Sequence, residues 1–176
     1  MTEEELKQHL VERHLQRERY NVLFGEGVVL FPLWNLSGQL CGVLQYNPLG
    51  DKKNSKNHPR DGKYYTSIHG GKHTKPIAVW GLETLHYRND ILVITEGVFD
   101  ACRFHNEGIP TIALLSNNVK RYKSWLLSSG RKIYKAEDVS RSFLGPFPNI
   151  PCPEKDFGEC TSDQVREAVM ELKKPR

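Results

Sequence analysis

Ile91-Leu92-Val93-Ile94-Thr95-Glu96-Gly97-Val98-Phe99-Asp100-Ala101 decides how the rest of the chain folds. Its first four residues are apolar and three of them are β-branched, without polar alternation, which is the pattern of a short parallel strand covered on both faces. Glu96-Gly97 ends the run abruptly, and Val98 to His105 then reads as a helix with Asp100 in its first turn. A carboxylate at the carboxyl end of a parallel strand faces the crevice where open α/β sheets bind ligands. A second one four residues on can face the same space. Two such groups repel unless a cation lies between them or one keeps its proton. Mg²⁺ suits the arrangement, because it takes one or two carboxylates, retains waters and adds phosphate oxygens. The plainer reading is that Glu96 ends a strand and Asp100 favours a helix start.

Downstream of Pro76, β and α signals alternate. Residues 77–82 read as a short strand or buried segment, and Glu83 to Tyr87 as a helical turn. The strand at 91–95 and a helix over about 98–107 follow, closed by Gly108. Pro110 to Leu115 is the next strand, ending in Ser116-Asn117-Asn118. Tyr122 to Ser128 is a helix stopped by Gly130, and Lys132 to Ala136 is another strand. This β-α-β-α-β order has connections long enough for parallel crossovers, so the expected fold class is α/β, a parallel sheet with flanking helices. Leu144 to Pro153 is Pro-rich and irregular, and Thr161 to Lys174 reads as an amphipathic helix capped by Thr161 or Ser162.

Upstream, the pattern is that of a small mixed α+β lobe. Residues 2–20 place Leu6, Leu10, Val11 and Leu15 at helical spacing, predicting one amphipathic helix. Val28 to Trp34 and Gln39 to Tyr46 flank the turn Asn35-Leu36-Ser37-Gly38 and read as a hairpin, with Pro32 marking an edge or a bulge. Residues 47–76 are polar and basic, and read as a solvated loop. The domain boundary is accordingly expected near Pro76, separating 1–76 from 77–176.

With 176 residues, 38% hydrophobic and 26% charged, the chain is globular in composition, and it has no apolar run of the roughly 20 residues needed to span a membrane. Met1-Thr2-Glu3-Glu4-Glu5 lacks the basic-then-apolar order of a signal peptide, which points to the cytoplasm. Cys41, Cys102, Cys152 and Cys160 have neither zinc-ribbon nor disulfide-framework spacing and are expected as separate reduced thiols. The net charge of +4 is unevenly spread, because residues 51–76 hold six Lys and one Arg against two Asp. There Tyr64 and Tyr65 stand among Lys63, His69, Lys72, His73 and Lys75. Cations for phosphate with rings for stacking are the composition of a nucleic-acid surface. His58, His69 and His73 lack metal-ligand spacing.

At this point the chain resembles a family. Val93-Ile94-Thr95-Glu96-Gly97-Val98-Phe99-Asp100 looks like the acidic motif of the TOPRIM fold, shared by bacterial-type primases, topoisomerases and several nucleases. Leu30-Phe31-Pro32-Leu33-Trp34-Asn35, with Gly38 and Gly42, is similar to the segment from which primases build the smaller lobe beside that core. Pro151-Cys152-Pro153-Glu154-Lys155-Asp156-Phe157-Gly158-Glu159 resembles their late Lys-Asp signature. The match covers about residues 20–165 and its layout is familiar from bacteriophage primase-like proteins, for which the location would be the host cytoplasm.

The resemblance implies a primer-synthesising nucleotidyltransferase acting on single-stranded DNA with nucleoside triphosphates and Mg²⁺ or Mn²⁺. Glu96 would act at the metal site as ligand or as general acid or base, with Asp100 supporting it and Asp138 as a third acid. Ser116 and Asn117 would line the same cleft. Lys120, Arg121 and Lys155 would meet triphosphate or template phosphate, and Lys63, Lys72 and Lys75 the nucleic acid. The family ends its third core strand with Asp-x-Asp. Here Ala136 stands at the first Asp, Asp138 at the second and Arg141 at the following Gly, and a shift of one residue would bring in Glu137. The zinc ribbon and the helicase portion of primases are missing from the sequence, which implies a replicative helicase or zinc-bearing domain as partner. Two alternatives stand beside this reading: a TOPRIM nuclease using the same carboxylates, and a nucleic-acid-binding relative without turnover, motivated by Ala136.

Overall fold

The computed structural model describes residues 1–51, 58–70, 77–116, 119–137 and 145–173. Two compact units emerge, Met1–Ala78 and Val79–Arg176.

The first unit opens with helix α1 (Glu3–Glu12). Its start is a capping box: the Glu5 amide donates to Thr2 Oγ1 and the Thr2 amide to the Glu5 carboxylate, satisfying two otherwise orphaned donors. Leu6 and Leu10 form its buried stripe. The single helix expected over 2–20 is not what forms. His14 takes a left-handed conformation at φ 58°, the His14 amide donates to Val11 O and the Leu15 amide to Leu10 O. That pair of bonds is a Schellman stop, which folds buried Leu15 back over Leu10. Leu15 therefore continues the apolar spacing without continuing the helix, and a 3₁₀ turn (Arg17–Arg19) follows.

An antiparallel sheet of four strands in sequential order comes next: β1 (Leu23–Gly25), β2 (Val28–Trp34), β3 (Leu40–Tyr46) and β4 (Tyr64–Ile68). Val29, Phe31 and Leu33 alternate into the core of β2, matched by Leu44 and Tyr46 of β3. Asn35 Oδ1 accepts the amides of Ser37 and Gln39, building the turn that the sequence announces. Pro32 lies beyond the last β1 pairing, at Leu30, and just before a register shift between Leu33 and Trp34, so its missing N–H breaks no ladder bond to β1. β4 lies inside the stretch expected to be loop. It is an edge strand whose residues are alternately exposed and half-buried, so no apolar face betrays it in the sequence. Its register on β3 pairs Tyr46 with Tyr64 and Gly42 with Ile68. A Cβ at Gly42 would stand 2.2 Å from the Ser67 carbonyl oxygen, so the absence of a side chain there lets the two strands approach.

The second unit is built on β5 (Ile91–Thr95), α2 (Val98–Asn106), β6 (Thr111–Ala113), α3 (Lys123–Ser128), β7 (Lys132–Ala136) and α4 (Ser162–Lys173). The sheet is parallel, ordered β6-β5-β7. Every residue of β5 is buried, which is what its unbroken apolar run predicts for a central strand. Both sheet edges are covered. Trp80 exchanges two backbone hydrogen bonds with Ala113 of β6, and Lys135 of β7 bonds to Pro148 and Ile150, the returning Pro-rich segment. Between the sheet and α4, Ile91, Val93, Phe104, Ile109, Ile150, Phe157 and Val165 pack with Ala136 into one apolar cluster. Thr161 and Gln164 exchange side-chain and backbone bonds at the start of α4, so Thr161 is its cap. Among the described residues no helix is long and apolar enough to cross a membrane.

Candidate nucleotide and nucleic-acid site

Glu96 follows the last residue of the central parallel strand. Its backbone is fixed by the neighbouring segment and by a local bond: Thr95 O accepts from the Leu114 amide at 2.9 Å, Glu96 O from the Leu115 amide at 3.1 Å, and Thr95 Oγ1 donates to Gly97 O at 2.9 Å. The Glu96 side chain is exposed and forms no hydrogen bond or ion pair with any described residue. A rigid backbone thus presents an open carboxylate. Leu115, two residues past β6, sits at φ 53°, a left-handed conformation that costs a residue with a Cβ about 1–2 kcal/mol. The turn leads to Ser116, while Asn117 lies outside the described residues. Lys120 and Arg121 then occupy an exposed 3₁₀ turn (Val119–Arg121).

Asp100 is differently placed. Gly97 caps α2, and a Cβ there would come within 2.8 Å of Asp100 Oδ2, so the carboxylate folds back over the helix start. Its other oxygen, Oδ1, accepts the Gly158 amide at 2.9 Å. Gly158 belongs to a 3₁₀ turn (Phe157–Glu159) whose Phe157 packs against Phe104 of α2 at 4.8 Å between centroids. The acidic motif and the late Lys-Asp signature, 58 residues apart, are thereby joined through Asp100. Lys155 stands exposed just before this turn.

The third strand end is closed. Ala136 is buried in the apolar cluster. Glu137, with its side chain 6% exposed, receives the Lys135 ammonium at 3.0 Å, and Lys135 Nζ also donates to Gly145 O at 3.1 Å. The Glu137 amide is held by Asn149 Oδ1. Lys135 is a residue that sequence reading missed; the signal available was the i, i+2 spacing of Lys and Glu, which puts both on one face of a strand. Asp138 lies outside the described residues. Among the described residues Glu137 is paired with Lys135, Asp100 accepts the Gly158 amide through Oδ1, and no three acidic, His or Cys side chains are grouped to hold an ion.

In the first unit, Lys63 precedes β4 and is half-buried, and Lys72 and Lys75 lie outside the described residues. Tyr64 is exposed and stacks on buried Tyr46 at 5.2 Å, whose hydroxyl meets His9 Nε2 at 2.8 Å. Tyr65 carries the Arg60 guanidinium 5.9 Å from its ring centre, and Arg60 O is held by Gln45 Nε2 at 2.7 Å. Tyr64 is therefore a ring anchored on another ring, and Tyr65 a ring beside a cation.

No protein-family model matches the chain, and no curated protein matches it in sequence. Solved structures do match its fold. The Aquifex aeolicus primase, comprising zinc-binding and RNA polymerase domains, aligns at a TM-score of 0.59 with 20% identity over 97% of this chain and 49% of that one. The primase fragment of the bacteriophage T7 primase-helicase aligns at 0.61 with 15% identity, over 92% and 72%. A DnaG primase catalytic domain bound to single-stranded DNA aligns at 0.56 with 15% identity, over 95% and 59%. The chain spans about half the length of the Aquifex structure. Its parallel three-stranded sheet with flanking helices, preceded by an antiparallel sheet, is the fold of the catalytic core of bacterial and phage primases.

Proposed function

We propose that this chain is the primer-synthesising core of a primase-type nucleotidyltransferase, joining ribonucleotides on a single-stranded DNA template. The observation that carries the proposal is Glu96, an open carboxylate on a fixed backbone at the carboxyl end of the central strand, within a fold shared with primase cores along nearly the whole chain. Nucleotidyl transfer joins a 3′-hydroxyl to an α-phosphate and releases pyrophosphate. It needs a group to take or orient the hydroxyl proton, and cations against the growing phosphoryl charge. Glu96 would serve the first need; Lys120, Arg121 and Lys155 would serve the second, and Ser116 would line the same cleft. Lys63, Tyr64, Tyr65 and Arg60 suit a single strand, since stacking on aromatic rings beside cations is tolerant of sequence. A single-stranded-DNA complex of a structural relative supports this choice of template. A zinc-bearing domain or a replicative helicase, each joined to a primase core in relatives of this fold, would supply start-site choice and movement along the template.

A second reading, nucleic-acid binding without turnover, is favoured by one observation, the replacement of an acid by buried Ala136 beside a lysine-neutralised Glu137. One assay separates the readings. The chain is incubated with single-stranded DNA and labelled ribonucleoside triphosphates in Mg²⁺ and, separately, in Mn²⁺. Short labelled oligoribonucleotides are expected. Binding without product establishes the second reading, and cut template makes the chain a nuclease.

A further inference from the structure

Of the four cysteines, two have met. Cys152 Sγ and Cys160 Sγ lie 3.7 Å apart, one thiol donating to the other. Cys102 instead donates to Phe99 O, and Cys41 to Ile77 O. The segment between the two sulfurs is short and held at both ends. Ile150 is buried and bonded to Lys135, and Thr161 caps α4. Within it, Phe157 is packed on Phe104 and Gly158 is tied to Asp100. A disulfide needs about 2.05 Å between sulfurs, so the pair must close by roughly 1.7 Å, a displacement a short segment can supply without moving its anchors. Cys152 is half-buried and reachable from solvent, whereas Cys160 is fully buried, which sets the order of attack.

We propose that Cys152 and Cys160 are a redox modification site, forming a reversible disulfide that fastens the 152–160 segment carrying Lys155 and Gly158. With a small-molecule disulfide as oxidant, Cys152 loses its proton and attacks one sulfur, whose S–S bond breaks. The departing half takes up a proton and leaves as a thiol. Cys160, likewise deprotonated, attacks the Cys152 sulfur of the mixed disulfide and expels the second half as a thiol. Two protein thiols are oxidised, one external disulfide is reduced, and the protons stay with the two released thiols. Burial pushes the Cys152 thiol up to about 12 and raises Cys160 as well, so thiolate is scarce at neutral pH and the reaction quickens with alkalinity.

The test uses the whole chain and oxidised glutathione at mildly alkaline pH, read by intact mass and by peptide mapping without reductant. The expected product is lighter by two hydrogen atoms, is linked between 152 and 160, and reverts with dithiothreitol. Amide exchange at Gly158 is expected to slow about tenfold in the oxidised chain. The variant Cys160→Ser should accumulate the glutathione adduct on Cys152, and Cys152→Ser should resist. A wild-type chain that stops at the glutathione adduct, that links other cysteines, or that reacts only when unfolded overturns the proposal.

Discussion

β5 and β7 are neighbours in one parallel sheet, in register through Thr95 and Ala136, and each runs on into a glutamate, yet the two glutamates live in opposite surroundings. Glu96 is exposed on a backbone held by Leu114 and Leu115, just past β6; Glu137 is nearly buried and bound to Lys135. The contrast shows that an acid at a strand end is not by itself available for chemistry. A buried carboxylate is kept ionised by its partner and its hydrogen bonds, and what neutralises it also withholds it from a ligand. Under the proposed function the two ends would have separable roles: Glu96 would serve the reaction, while the Glu137 carboxylate holds Lys135, whose ammonium and backbone bond to the returning segment at Gly145, Pro148 and Ile150.

Four experiments press on that contrast, in decreasing size of expected effect. Glu96→Gln should lower primer synthesis by about 10²-fold or more while leaving DNA affinity nearly unchanged, because it removes a proton acceptor and keeps the shape; equal activity would take Glu96 out of the mechanism. Lys135→Met should lower stability in a urea unfolding titration, because it removes the ammonium that meets the buried Glu137 carboxylate at 3.0 Å. Adding Glu137→Met should recover most of that loss, and a double variant as unstable as the single one would break the assignment of the pair.

Asp100 stands between the extremes. Asp100→Ala should lose about 1–3 kcal/mol by stranding the Gly158 amide, whereas Asp100→Asn, which still offers an acceptor, should retain most of the stability. Turnover that falls in the Asn variant at unchanged stability would place Asp100 with Glu96 in the chemistry. Smallest of all, Lys155→Gln should reduce the slope of log affinity for single-stranded DNA against log salt by about one, the signature of a lost phosphate contact. A slope equal to wild type would leave Lys155 as a solvated surface charge.

The sequence was most legible where burial is two-sided. Ile91 to Thr95 could be read because a central parallel strand needs apolar residues at every position, and its carboxyl end locates Glu96 without further information. β4 was hidden for the opposite reason, since an edge strand with one face in solvent reads like the polar loop around it. Helix α1 was overextended because periodicity reports which residues are buried, not which backbone bonds persist, and Leu15 is buried past a Schellman stop. The Lys135–Glu137 pair is foreshadowed by its i, i+2 spacing, whereas the meeting of Cys152 with Cys160 depends on how the late segment folds, which no local spacing encodes.

Gly42 gives the first unit a single point of failure. What a side chain at 42 would strike is the Ser67 carbonyl and the Ile68 Cα, parts of the chain that cannot rotate aside. One added methyl group, the smallest change the genetic code offers at that position, would pry the outermost strand away from its neighbour. It would carry Tyr64 off Tyr46 and release Tyr65 from the rung it shares with Gln45, disarming an aromatic surface from the far side of the strand without altering either ring.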